Sequence, residues 1–213
     1  MARQRSASYD DQREKILAQA AHLFASSGYP STSMNEVADA CGFSKATLYH
    51  YYDDKYDLLV NIAESHVSRL EALVGEVHRQ GLAPERFLRE LIRRMLGEYA
   101  GAQDAQRVLT AEARFLHPRD AERVLGKERY VVETFARALV ALRPDLSGES
   151  LGKPLTMLLF GMINWLFTWM KPGGALGHDD IAVLVTDLFL GGLPAVKPSQ
   201  VPIAEFSELV LTR

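Results

Sequence analysis

Hydrophobic positions near the start of the chain recur with helical spacing. Ile16, Ala20, Leu23 and Phe24 fall at i, i+4, i+7 and i+8, which places them on one face of a helix. The pattern predicts a first amphipathic helix from about Asp10 to Ser27.

A second helix is predicted immediately afterwards. Ser33 and Glu36 form the S-x-x-E capping pattern, in which a hydroxyl and a carboxylate satisfy each other's free backbone amides at a helix start. Gly42 is expected to end this helix, because glycine adopts the left-handed conformation that a tight turn requires. The narrow apolar face of the helix consists of Met34, Val37, Ala38 and Cys41.

A third, short helix follows the Gly42 turn. Ser44 is its predicted cap, it runs from Lys45 to about Tyr51, and Leu48 is its inward anchor. Asp53 or Asp54 is expected to cap a fourth helix. Two short helices joined by a glycine-containing turn are typical of a helix-turn-helix.

The third helix carries unusual chemistry in the stretch "SKATLYHYYDDK". A recognition helix in the major groove presents its N-terminal residues to base edges, while tyrosine, histidine and lysine side chains can contact phosphates. Tyr51 and Tyr52 are predicted as core or interface aromatics instead. The predicted base contacts are Ser44, Lys45, Ala46 and Thr47, and the predicted backbone contacts are Tyr49, His50 and Lys55.

Charge limits how this DNA-binding face is built. The chain has a formal net charge of −3 and a pI near 6.1, and residues 1–57 hold six basic and eight acidic side chains. A basic DNA face must therefore arise by local arrangement. Arg3 and Arg5 are predicted on a loose N-terminal arm, which either follows a groove or is merely a soluble tail.

The stretch from about Asp11 to Lys55, above all "STSMNEVADACGFSKATLYHYYDDKYDLL", resembles the DNA-binding domain of TetR-family transcriptional regulators. This resemblance implies phosphate contacts at Thr32, Ser33, Tyr49, His50 and Lys55, and base contacts from Ser44 to Thr47. Tyr52 stands where a phenylalanine is common in the family.

The remaining three quarters of the chain also show helical periodicity, without an alternating strand pattern. We predict an all-α fold with a helix-turn-helix domain at residues 1–57, a helical effector-binding and dimerisation domain at 58–193, and a tail at 194–213 with a short amphipathic segment. After a long fourth helix, further helices are predicted at Pro84 to Tyr99, Asp104 to Phe115, Pro118 to Leu142, Glu149 to Met170 and Asp179 to Leu190.

The run "LTMLLFGMINWLFTWMKPGGAL" is apolar around most of its helical circumference. Such a helix must be covered on nearly all sides. With "IAVLVTDLFLGGL" it is predicted to form a four-helix interface across a two-fold axis, which makes a homodimer. In TetR-like proteins the last two helices form this interface, so the resemblance agrees.

Polar side chains within the apolar run are candidate ligand contacts. Asn164 and Thr168 are predicted to share a helix with Trp165 and Trp169, although another helix could equally satisfy the Asn164 amide. "GMINWLFTWMKPGG" resembles the TetR-family subset that senses acyl-coenzyme A thioesters. That resemblance implies acyl contacts for Asn164 and the tryptophans, and phosphate contacts for arginines. The further candidates on neighbouring helices are Arg93, Arg114 and His117.

Other classes of protein find little support in the sequence. The single Cys41 excludes an intramolecular disulfide framework, and the apolar run from Leu155 to Met170 is shorter than the roughly 20 residues that a spanning helix needs. No metal, cofactor or catalytic motif is recognised. The expected protein is a cytoplasmic, homodimeric repressor that a small apolar or acyl-CoA-type ligand releases from a double-stranded DNA operator. The alternative is a helical adaptor that binds only protein.

Overall fold

The computed structural model describes residues 2–146, 151–166, 169–170 and 174–197, with side chains from Tyr9 onward. Within these residues the chain forms nine α-helices and no strand, so the all-α prediction is confirmed. The helices are α1 Ala2–Ser27, α2 Met34–Cys41, α3 Lys45–Tyr51, α4 Lys55–Arg79, α5 Pro84–Gly101, α6 Gln103–Glu112, α7 Pro118–Leu142, α8 Gly152–Asn164 and α9 His178–Gly192.

The boundaries of the helix-turn-helix follow the predicted capping residues. Ser33 Oγ accepts a hydrogen bond from the Glu36 amide at 3.3 Å, and Glu36 Oε2 accepts one from the Ser33 amide at 2.7 Å. Gly42 ends α2 with φ 70°, and Ser44 caps α3. At the start of α4, Asp54 Oδ1 accepts from the Asp57 amide at 2.7 Å. These contacts confirm the capping predictions.

Helix α1 begins earlier than the sequence indicated. It starts at Ala2 instead of Asp10, so the prediction that Arg3 and Arg5 lie on a loose arm was wrong. The added residues include alanine, arginine and glutamine, which favour helix, and neither proline nor glycine occurs before Gly28.

Helix α8 ends earlier than predicted, at Asn164 instead of Met170. The apolar run continues past the end of the helix, so hydrophobicity alone did not locate its last residue. Pro154 lies in the first turn of α8, where a helix has backbone amides without intrahelical partners. Thr168 lies outside the described residues, as does the predicted amphipathic segment of the C-terminal tail.

The chain divides into two compact units, Met1–Ala72 with Tyr99–Arg129, and Leu73–Glu98 with Tyr130–Arg213. The division at residue 57 concerns function and stays a prediction. The core of the first unit includes Ile16, Phe24, Val37, Leu48, Tyr52, Leu59, Val108 and Val124. Buried residues of the second include Leu91, Ile92, Met95, Phe135, Leu159, Ile163 and Val185.

None of the described helices combines the length and the hydropathy of a membrane-spanning segment.

Candidate nucleic-acid interface

Helix α3 is a short element with a single buried residue, Leu48. Its first turn is fixed by Ser44, whose Oγ accepts from the Thr47 amide at 3.1 Å and hydrogen-bonds Thr47 Oγ1 at 2.8 Å. The opposite side of the helix is therefore available to a partner.

The exposed side of α3 carries most of the predicted DNA contacts. Ser44, Lys45, Ala46 and His50 are exposed and Thr47 is half-buried. Tyr49 is 42% exposed, and the Lys45 ammonium lies 5.8 Å from the centre of its ring. A cation, hydroxyls and aromatic rings thus share one solvent-facing surface, which suits contact with phosphates and base edges.

Thr32 has a different environment from the one that the family resemblance implied. Its side chain is only 3% exposed, and its hydroxyl donates to the carbonyls of Gly28 at 3.0 Å and Leu23 at 3.4 Å. This hydroxyl holds the turn between α1 and α2. The neighbouring Ser33 is exposed and serves as the cap of α2.

Lys55 is half-buried and engaged with the same turn. Its Nζ donates to the Tyr29 carbonyl at 2.9 Å and the Pro30 carbonyl at 3.1 Å, and lies 4.6 Å from the centre of the Tyr29 ring. Because an ammonium has three donors, one remains after these two bonds. The sequence indicated a DNA contact for Lys55 but not this structural role.

The last two tyrosines of the motif face the protein, as predicted. Tyr52 is 1% exposed and donates from Oη to the Arg13 carbonyl at 3.4 Å. Burial raises the pKa of the Tyr52 phenol. Tyr51 is partly buried, and its hydroxyl donates to Gln12 Oε1. Sequence reasoning missed Tyr9, Gln12 and Tyr29, because a contact between residues more than 20 positions apart leaves no local pattern.

The predicted ligand residues are divided between the two units. Arg114 and His117 belong to the first unit, and Arg93, Asn164 and the tryptophans belong to the second. The His117 ring stacks on the Tyr56 ring with centroids 4.0 Å apart, and the His117 amide donates to Tyr56 Oη at 2.8 Å. These contacts give His117 a packing role that the sequence did not indicate. The Arg114 guanidinium is exposed and lies over the Phe115 ring.

Among the candidates on the second unit, Asn164 has a buried polar atom. Asn164 Oδ1 is buried without a hydrogen-bond partner among the described residues. Trp165 and Trp169 are 65% and 55% exposed. Arg93 is exposed and forms an ion pair with Glu90 at 2.7 Å, and its hydrogen bond lowers the pKa of the Glu90 carboxyl.

Two surface clefts of the second unit are lined by other residues. One, of about 400 Å³, includes Glu85, Arg89, Arg143 and Asp187. The other, of about 280 Å³, includes His78, Phe87, Thr134 and Arg137. Neither cleft includes a residue predicted to bind the ligand.

Helices α8 and α9 also carry an exposed apolar face, which we call the α8–α9 face. Leu158 and Leu188 are 64% and 69% exposed. The other large apolar side chains exposed on these two helices are Met157, Val183 and Leu184.

Comparison with known proteins identifies the architecture. A family model described as "Bacterial regulatory proteins, tetR family" matches residues 16–62, and one described as "Tetracyclin repressor-like, C-terminal domain" matches residues 81–193. A TetR-family transcriptional regulator from Bordetella parapertussis 12822 is 32% identical, with a TM-score of 0.81 over 88% of this chain and 98% of that one.

Two further relatives have named functions. The chain is 25% identical to the HTH-type transcriptional repressor KstR2 of Rhodococcus jostii (strain RHA1), over 85% of this chain and 90% of KstR2. It is also 25% identical to AibR, solved in complex with isovaleryl coenzyme A and operator DNA. That match has a TM-score of 0.71 and covers 83% of this chain and 97% of AibR.

The chain belongs to the TetR family of bacterial transcriptional regulators. It is a ligand-responsive, DNA-binding transcriptional regulator and not an enzyme. The alternative of an adaptor without DNA binding is not supported.

Proposed function

We propose that the exposed side of α3 is the DNA-reading surface. Ser44, Lys45, Ala46 and Thr47 would face base edges in the major groove, and Tyr49, His50 and Ser33 would contact the sugar-phosphate backbone. The observation that carries this proposal is the exposure of Lys45, Ala46, Tyr49 and His50 on a helix whose only buried residue is Leu48.

Thr32 and Lys55 have modified roles in this proposal. The buried Thr32 hydroxyl supports the turn before α2 instead of contacting phosphate. Lys55 also holds this turn, and its remaining donor and positive charge would strengthen phosphate binding.

The operator-binding species would be a homodimer formed through the α8–α9 face. Soluble proteins seldom leave a large contiguous apolar patch in water, and a second copy of the same face is the complement that two-fold symmetry supplies. Two copies would present two α3 helices to half-sites about one helical turn apart. Because bacterial DNA lies in the cytoplasm, a protein of this family that binds an operator would act there.

We further propose that the effector is an acyl-CoA thioester. Support comes from the likeness to AibR and from Asn164, whose buried amide oxygen has no partner among the described residues. Asn164 would hydrogen-bond the acyl part, Trp165 and Trp169 would contact it, and Arg93 would bind phosphates. Thr168 completes the proposed set by its sequence position alone. Arg114 and His117, which belong to the first unit, remain candidates from the sequence only.

Release from DNA requires a difference in ligand affinity between two conformations. A ligand that binds both equally changes nothing, however tightly it binds. The effector must therefore bind better to a conformation whose two α3 helices no longer match the operator.

Binding measurements with a duplex that the protein selects from a random-sequence pool test these proposals. We expect one or more acyl-CoA thioesters to raise the Kd for this duplex, whereas free coenzyme A and the matching free acids leave it unchanged. Asn164→Ala should shift the thioester dose-response to higher concentration without changing the Kd measured in its absence. An unaltered dose-response would remove Asn164 from the site. A panel of thioesters without effect would refute the ligand class.

A further inference from the structure

The C-terminal end of α3 is held by an aromatic stack that includes a residue of α1. The Tyr51 ring stacks on Tyr9, with centroids 4.8 Å apart and an interplanar angle of 29°. It is also nearly parallel to Phe43, at 6.3 Å and 15°. Tyr9 additionally meets the edge of the His50 ring at 6.3 Å. The Tyr51 ring, at the end of α3, is thus packed against the rings of both Tyr9 and Phe43.

A polar contact reinforces the stack one helical turn further along α1. The Tyr51 hydroxyl donates to Gln12 Oε1, across 39 positions of sequence. Tyr9 and Gln12 are three residues apart, so they lie on the same face of α1. One face of α1 therefore holds both the ring and the hydroxyl of Tyr51.

The same helix also contacts the start of the recognition element. Lys15 Nζ donates to the Cys41 carbonyl at 3.4 Å and lies 5.7 Å from the centre of the Phe43 ring. Helix α1 thus contacts the chain both before α3 and at its end.

These contacts restrict the orientation of the short helix α3. A seven-residue helix has little stability of its own, and α3 is attached to the core by Leu48 and by Tyr52 directly after it. Tyr51 adds an attachment to α1, which further restricts rotation of α3 about its axis. Direct readout depends on such fixation, because hydrogen bonds weaken steeply when donor and acceptor lose their alignment.

We propose that Tyr9 and Gln12 are positioning residues for operator recognition, which act through Tyr51 to set the rotation of α3. The inference rests on the proposed DNA-reading role of α3. Neither residue needs to touch DNA. Their loss should affect a matched operator more than unrelated DNA, because phosphate attraction tolerates a small rotation and base readout does not.

A double-mutant cycle tests the Tyr51–Gln12 contact. The probes are a duplex that the wild-type protein selects from a random-sequence pool and a scrambled duplex of the same length. Tyr51→Phe keeps the ring stack and removes only the hydroxyl. We expect Tyr51→Phe and Gln12→Ala each to raise the Kd for the selected duplex about fivefold, the effect of one hydrogen bond. Because both substitutions break the same contact, the double variant should lose no more affinity for the selected duplex than either single variant does.

The stack is tested by a pair of variants at Tyr9. Tyr9→Ala should raise the Kd for the selected duplex about tenfold, because it removes the aromatic pair with Tyr51, while Tyr9→Phe, which keeps the ring, should bind as the wild type does. The Kd for the scrambled duplex should change less than twofold in all these variants. Tyr130→Phe, which removes an exposed tyrosine hydroxyl on α7, is the matched control.

The outcomes separate this inference from the proposal that it rests on. If the wild-type protein selects no duplex, the DNA-reading proposal fails. If it selects one and the Tyr51, Gln12 and Tyr9 variants bind it with wild-type affinity, only the positioning role is overturned. An equal loss of affinity for the selected and the scrambled duplex, together with a lower Tm, would also overturn the positioning role, because it indicates a general loss of folded protein.

Discussion

Ser33 shows how one side chain fixes the start of a helix in the DNA-binding unit. Its hydroxyl accepts from the Glu36 amide, while its own amide donates to the Glu36 carboxylate. That hydrogen bond lowers the pKa of Glu36 below its ordinary value of 4.5. The stabilisation that it supplies is present above the unfolded pKa and is lost as the pH falls through the folded pKa.

Ser33→Ala should therefore lower the free energy of unfolding by about 1 kcal/mol at neutral pH, the usual effect of a lost N-cap. Any part of this loss that comes from weakening the Glu36 interaction should shrink in acid, where the carboxyl is protonated in both states. Chemical denaturation at both pH values checks the prediction, with Ser31→Ala in the same turn as the control. Equal stabilities of the Ser33 and Ser31 variants at neutral pH would contradict the capping role.

The reactivity of the Cys41 thiol is lowered by its position in the core. It is 4% exposed, and burial raises the pKa of its thiol. Since the thiolate is the reactive form, native protein should be alkylated by iodoacetamide much more slowly than unfolded protein at the same neutral pH. Mass spectrometry of timed samples measures both rates. Comparable rates in the two states would contradict the buried, protonated thiol.

The local features of the site were predictable from sequence, whereas its tertiary contacts were not. Ser33, Gly42 and Ser44 act within a few residues of themselves, so spacing alone identified them. The engagement of Lys55 with the Tyr29 carbonyl, and of Tyr51 with Gln12, depends on how α1, α3 and α4 pack. Local periodicity contains no information about such partners.

At the scale of elements, periodicity placed helices reliably but located their ends less well. The predicted bounds of α7 match the structure, since Pro118 favours a helix start. Helix α8 ends within an apolar run that continues to Met170, and α1 begins before its apolar face does. Helix ends depend on capping and packing that hydrophobic spacing does not specify.

The α8–α9 face carries a prediction of its own. Leu188→Asp should raise the Kd of the dimer at least tenfold, because burying an unpaired polar group costs about 1–3 kcal/mol, and more when it is charged. Sedimentation equilibrium across a concentration series measures the change. Leu125→Asp, at an exposed leucine on α7, is the matched control. An unchanged monomer–dimer equilibrium for Leu188→Asp would show that this face does not form the dimer.

At the scale of the whole molecule, a chain of net charge −3 must bind a polyanion through a local surface. Its attraction to DNA should accordingly depend on the few cations of each reading surface. Affinity should fall as salt rises, with a slope set by the number of phosphates neutralised.

The most direct test of the account is the affinity of Lys45→Ala for the selected duplex, measured by fluorescence anisotropy over a range of salt concentrations. Loss of a base contact should weaken the binding free energy by about 1–3 kcal/mol and relax discrimination against the scrambled duplex. Lys197→Ala, at an exposed lysine outside α8 and α9, should bind as the wild type does. If Lys45→Ala also binds with wild-type affinity and discrimination, α3 is not the surface that reads the operator.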